Sequence, residues 1–200
     1  MIWAHPRRDS LTATVVADVV ASLRDHDLDV DELDLYRSGF DPVLKPMDEP
    51  DWNDPDKPFS PEVREHAMRT KAADALVFVF PVWWYSVPAI MKGYIDRVWN
   101  YGLFYGDGRR SGIGAARWIG LAGEGIASFR KRGYEEMIAH HLDAGIAGLC
   151  GIEDSRVVLL YDALGEGIDD LPGHFLALRR KARAVVSELV ATLHEEPRTE

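Results

Sequence analysis

Apolar positions along this chain alternate, run on unbroken, or recur at helical spacing, in an order that predicts five strand-helix pairs. Met1-Ile2-Trp3-Ala4 opens as a short first strand, and the turn-like His5-Pro6-Arg7-Arg8-Asp9 follows it. Ser10 then caps a helix that places Leu11, Val15, Val16, Val19, Val20 and Leu23 on one face. Leu28 to Leu35 alternates apolar and acidic residues, the pattern of a second strand wet on one side or lying at a sheet edge. Ser60-Pro61-Glu62 supplies a cap and a proline at the first helical position, starting a helix to about Ala73. Ala75 to Phe80 is apolar throughout, as a central parallel strand covered on both faces would be. Ser86-Val87-Pro88 starts a helix carrying Ile90, Met91, Tyr94, Ile95, Val98 and Trp99, and a glycine-rich loop runs from Gly102 to Gly114. Trp118 to Ala122 is the fourth predicted strand and Arg156 to Tyr161 the fifth, with a helix from about Lys131 to Leu149 between them. A helix from about Pro172 to His194 closes an α/β fold, a parallel sheet with helices on both faces.

Residues 41–61 break the pattern, holding six of the eleven prolines together with Asp48, Glu49, Asp51, Asp54 and Asp56. Such a stretch sustains neither helix nor ladder, so a long exposed loop is expected within one domain spanning residues 1–200. The piece before it is too short to bury a core alone. A net charge of -10 repels nucleic acid and anionic membrane surfaces, and neither is expected as a partner. The longest apolar stretch, Ala72 to Pro88, is interrupted by Asp74, Ser86 and two prolines, so no membrane insertion is expected. A lone cysteine, Cys150, and the lack of a secretory signal predict a cytoplasmic protein.

In such a sheet ligands gather at the carboxyl ends of the strands, where strand order reverses. After strand one, His5 to Thr12 leads into a helix N-terminus that favours an anion, with Ser10 and Thr12 hydroxyls and Arg8 nearby. Taken alone, an ordinary capped helix with surface arginines explains it better, by roughly two to one. After strand three, Trp83, Trp84 and Tyr85 cannot all point into one core, so a flat apolar ligand or a protein partner is expected there. After strand four, Leu121-Ala122-Gly123-Glu124-Gly125 offers backbone open to close approach. Together the three strand ends describe a pocket for something both phosphorylated and aromatic. No G-x-G-x-x-G opens the first helix and no G-x-S-x-G elbow occurs. His140-His141 lacks zinc spacing, so no metal site is expected. Cys150 is expected to pack, not react, and Arg130-Lys131-Arg132 to be solvated.

Trp3-Ala4-His5-Pro6, the segment from Pro81 through Trp99 (PVWWYSVPAIMKGYIDRVW) and Tyr101-Gly102-Leu103-Phe104-Tyr105-Gly106 closely resemble the flavodoxin-like NAD(P)H:quinone reductases. This family includes DT-diaphorase, the modulator of drug activity enzymes and the ancillary oxidoreductases of potassium-efflux antiporters. The resemblance implies a flavodoxin-like three-layer sandwich with strand order 2-1-3-4-5 and a homodimer with the flavin site at its interface. The flavin phosphate would fall on His5, Ser10, Leu11, Thr12 and Ala13. Pro81, Val82, Trp83, Trp84 and Tyr85 would border the isoalloxazine ring, and Leu121, Ala122, Gly123, Glu124 and Gly125 would make the third contact. The loop from Trp99 to Tyr105 would meet the other subunit.

The implied reaction is ping-pong hydride transfer from NADPH or NADH through flavin N5 to a quinone or similar small aromatic acceptor. FMN is favoured over FAD because the chain shows no clear adenine-binding segment. Relatives often read Thr-Thr-Gly-Gly where this chain has Leu121-Ala122-Gly123-Glu124, and the residues nearest DT-diaphorase's quinone-assisting pair are Phe129 and Gly133-Tyr134. A redox-sensing subunit of a potassium-efflux antiporter, docked through the acidic 48–56 loop, is the alternative reading, and a one-electron flavodoxin shuttle is a third. Met1 to Ala4 is short for a central strand, which predicts either a start a few residues upstream or a stunted strand one.

Overall fold

The computed structural model describes residues 1–195. Its five strands form one all-parallel sheet in the order β2-β1-β3-β4-β5. The strands are β1 Ile2–Trp3, β2 Leu33–Asp34, β3 Ala75–Pro81, β4 Ala115–Leu121 and β5 Asp154–Leu160. The helices are α1 Leu11–Asp25, α2 Pro61–Lys71, α3 Ala89–Val98, α4 Ile126–Lys131, α5 Tyr134–Ala139 and α6 Leu171–Glu195. Alternation along β3 sorts the core into two halves. Leu76, Phe78 and Phe80 point toward α2, α3 and α5, while Val77 and Val79 point toward α1 and α6. On the first face Phe78 stacks on Trp118 at 4.0 Å and 9°, an aromatic pair worth about 1 kcal/mol beyond its buried area.

Four expectations change against this frame. The alternating run Leu28 to Leu35 pairs only at Leu33 and Asp34, because β1 offers just Ile2 and Trp3 as partners. β4 starts at Ala115, ahead of the expected Trp118, because Arg117 is 1% exposed and buries its charge in a bond to Asp154 Oδ2 at 2.7 Å. The single helix expected from Lys131 to Leu149 breaks at Gly133, whose φ of +68° ends one helix and caps the next. The same expected helix departs again beyond α5, where the chain runs on as a π-helical stretch, His140–Gly148. There the Asp143 carboxylate accepts from Ser155 Oγ at 2.7 Å and from the Val157 amide at 3.3 Å, which covers part of the exposed border of β5.

Finally, the 41–61 loop is largely exposed but not wholly so. Asp48 is fully buried, accepting from Ser60 N and Oγ and pairing with fully buried Arg97 of α3 at 2.8 Å. Arg97 also bonds Glu62 at 2.8 Å and the Asp41 carbonyl, and Asn100 Nδ2 donates to the Asp48 carbonyl at 2.6 Å. Gly93 lets the loop lie against α3, since a Cβ there would sit 2.3 Å from the Pro42 carbonyl oxygen. Among the described residues no helix is long and apolar enough to cross a membrane, and no cluster of side chains could hold a metal.

Candidate active site

β1 delivers the chain into α1 with a cap already made. Ser10 is extended (φ -81°, ψ 157°), and its Oγ accepts from Ala13 N and donates to the Arg7 carbonyl, both at 3.1 Å. Its hydroxyl is therefore engaged within the chain. The amides of Leu11 and Thr12, in the first turn, have no intrahelical acceptor and remain for an anion. Arg37 fixes the approach to this turn, donating to the His5 carbonyl and, at 2.9 Å, to the Pro6 carbonyl. Burial holds the His5 imidazole below its usual range, so it stays neutral near pH 7.

β3 ends in a turn that the chain does not build from turn residues. Trp83 and Ser86 exchange both backbone hydrogen bonds at 3.1 Å around Trp84 and Tyr85, which have φ of +51° and +57°. Two left-handed residues in a two-residue loop normally mean Asn-Gly. Here the side chains are large, and Trp84 is 94% exposed. Tyr85 turns inward, stacking on Tyr134 at 3.7 Å and lying 5.8 Å from Phe129. Strain of about 1 kcal/mol per residue is kept at this turn, with the Trp84 ring facing outward. Trp84→Asn is expected to raise unfolding stability by about 0.5–1 kcal/mol, since Asn tolerates this conformation, and to weaken ligand binding at the turn. Urea unfolding and a binding titration on the same sample check both signs.

Beside this turn lies a groove of about 530 Å³, within the range of small-molecule sites. Val82, Trp84 and Tyr85 form one wall, Gly123 to Gly125 a second, and Asp162, Leu164 and Glu166 a third. Phe129, 2% exposed, lies along its base, and half-buried Tyr134 backs Tyr85. The second wall packs closely on the third: a Cβ on Gly125 would come 2.9 Å from Asp162 Oδ1 and one on Gly123 3.0 Å from Leu164 Cδ1. Glu124 reaches back across the groove. Tyr85 donates to its Oε1 at 3.4 Å, Ser128 Oγ donates to its Oε2, and Arg132 stands 3.6 Å away.

The structure thus brings Val82, Trp84, Tyr85, Gly123, Glu124, Gly125 and Phe129 together. Pro81, Leu121 and Ala122 are buried at or just beyond the strand ends and position the turns. His5 to Thr12 and Trp83 lie outside the groove lining, with the rings of His5 and Trp83 6.3 Å apart. The loop after β5 and Ser128 were not picked out from the sequence, although Asp162 to Glu166 follow a strand end as the other walls do. Two further groups are poised against reaction. Burial pushes the Cys150 thiol up to about 12, and burial together with the neighbouring Glu135 carboxylate raises the Tyr161 phenol. The donor set fits a flavin: unpaired amides for its phosphate and an aromatic turn for its ring, with the groove open beside that turn.

Comparison with known proteins agrees with this geometry. A family model described as a flavodoxin-like fold matches residues 1–186. The chain is 42% identical over 190 residues to the uncharacterized NAD(P)H oxidoreductase YcaK of Escherichia coli (strain K12), covering 94% of this chain and 96% of that protein. Among solved structures it is similar to an NAD(P)H:quinone oxidoreductase from Methanothermobacter marburgensis, with a TM-score of 0.82, 25% identity and 94% of each chain covered. An FMN-dependent NADH-azoreductase from Bacillus anthracis str. Ames Ancestor, in complex with FMN, shares the fold at a TM-score of 0.64 and 19% identity, over 94% of this chain and 97% of that one.

Proposed function

The chain belongs to the flavodoxin-like fold family, and from that premise we propose that it is an NAD(P)H-dependent flavin oxidoreductase that reduces quinones or similar small aromatic acceptors. The observation that carries the reading is the outward-facing, strained Trp84-Tyr85 turn beside an open groove, with unpaired helix amides one loop away. The names of the similar proteins, NAD(P)H oxidoreductase and NAD(P)H:quinone oxidoreductase, support the donor and acceptor classes.

When bound, a flavin supplies a two-electron relay between donor and acceptor. The chain's own residues hold and shield it. Leu11 and Thr12 amides would bind its phosphate, and the Val82–Tyr85 and Gly123–Gly125 turns would border its ring. Donor and acceptor use the groove in turn. In the net reaction a hydride from NAD(P)H and a proton from solvent pass to the quinone, leaving hydroquinone and NAD(P)+. FMN is the favoured flavin, supported by the FMN complex of a fold neighbour and by the lack of a visible adenine-binding segment.

A homodimer with the site at its interface is part of the same reading. Exposed Val43, Met47 and Trp52 leave apolar surface open on the 41–61 loop, beside Tyr101 at 5.0 Å from Trp52. Trp99 and Phe104 do not contribute to that surface, because they stack on each other inside the core at 5.2 Å. The antiporter-subunit alternative gains no support, since Asp48 of its docking loop is tied into the fold.

One spectrum tests the proposal. Protein incubated with FMN or FAD and desalted is expected to retain a flavin band near about 450 nm, bleached by NADH or NADPH under anaerobic conditions and restored by a quinone. Colourless protein after both incubations overturns it.

A further inference from the structure

The groove has a charge character that the resemblance did not predict. Its lining carries three carboxylates, Glu124, Asp162 and Glu166, and no cation. Arg132 touches Glu124 from outside, at 3.6 Å, and is itself shared with Ser128. Glu124 is exposed but tethered. Tyr85 and Ser128 donate to its two oxygens, so its carboxylate is held between the wall formed by the β3 turn and the start of α4. Relatives often have glycine at the position of Glu124, so this chain adds a negative charge beside the Tyr85 hydroxyl, on the wall of the groove. The whole chain carries a net charge of -10, which reinforces that field instead of cancelling it.

We propose that Glu124 is a specificity-determining residue that makes the groove select uncharged and cationic aromatic acceptors and reject anionic ones. The inference rests on the oxidoreductase reading, and adds the acceptor's charge class to it. Asp162 and Glu166 extend the same field to the rim. The effect acts on entry and binding, so it appears in KM and kcat/KM more than in kcat, and added salt screens it.

The test uses the flavin-loaded full chain and three forms of one naphthoquinone: neutral, carrying a sulfonate, and carrying a quaternary ammonium. For the unmodified protein, kcat/KM should be lowest for the sulfonate, and the gap should narrow as NaCl is raised. Glu124→Gln keeps the side chain's shape and removes its charge. It should raise the sulfonate-to-neutral ratio of kcat/KM on the order of five- to tenfold at low salt. Glu166→Gln, at the exposed rim, should move the ratio the same way by less, and guards against a folding defect in the first variant. Glu188→Gln, which removes a surface charge paired with Arg156 away from the groove, should leave the ratio where it was. Because the readout is a ratio, a change common to both acceptors cancels. Equal ratios in Glu124→Gln and the unmodified protein, or a sulfonate preferred without regard to salt, would overturn the proposal while leaving the oxidoreductase reading intact. Protein that takes up no flavin and reduces none of the three would overturn both.

Discussion

Leu11→Pro is expected to weaken flavin binding on the order of 10- to 100-fold while the fold stays intact. A hydrogen bond to a charged group contributes about 1.5–3 kcal/mol, and proline at this position removes one such donor, the Leu11 amide. The helix tolerates the change because position 11 opens α1, where the amide has no helical acceptor and proline's fixed φ suits the first turn. The residue before a proline must be extended, and Ser10 already is, at ψ 157°. Leu11→Ala serves as the comparison, trimming the same half-buried side chain but keeping the amide. Fluorescence titration of FMN into all three proteins, with urea unfolding alongside, separates the effects. Equal affinities for the proline and alanine variants would show that the α1 amides do not carry the phosphate.

The largest loss of stability should come from Arg97→Met. The guanidinium and the Asp48 carboxylate are both fully buried, so removing one partner strands the other charge without solvent, a cost of about 3–5 kcal/mol. For a domain of this size that is roughly 10 °C in thermal midpoint. The same side chain holds the Asp41 carbonyl and Glu62, so the loss should be local first: the 41–60 loop should become sensitive to proteolysis before the sheet does. Adding Asp48→Leu to Arg97→Met should recover part of the stability, because both charges then leave together. A single variant within 1 kcal/mol of the parent (a threshold of roughly the usual surface-substitution scatter) would mean the pair is solvated in solution.

What could be read from the sequence follows physical range. Ala75 to Phe80 announces β3 because a strand buried on both faces leaves no polar residue to confuse it, and Ser10 announces α1 because a cap is a local bond. The strand order came from likeness, not periodicity. What escaped depends on partners far along the chain. Arg117 reads as polar until Asp154 is seen across the sheet, and Asp48 reads as solvated until Arg97, distant in sequence, is placed on it. Gly133 looks like any helix-interior glycine until its left-handed φ splits the helix. Within the site, the two aromatic and glycine turns were visible as composition. The strain at Trp84 and Tyr85 was not, since nothing in Trp-Tyr specifies a two-residue hairpin.

β1 pairs on both sides, yet only through Ile2 and Trp3. A strand with two rungs is the weakest line across the sheet, dividing β2 from the block of β3, β4 and β5, whose ladders run seven residues each. The loop proposed to receive the flavin phosphate hangs from that line. Whatever binds at its end therefore joins the two parts of the sheet, and by mass action a ligand at a hundred times its Kd adds about 2.7 kcal/mol to the folded state. A ligand held there and the pairing along β1 are therefore expected to stabilise each other.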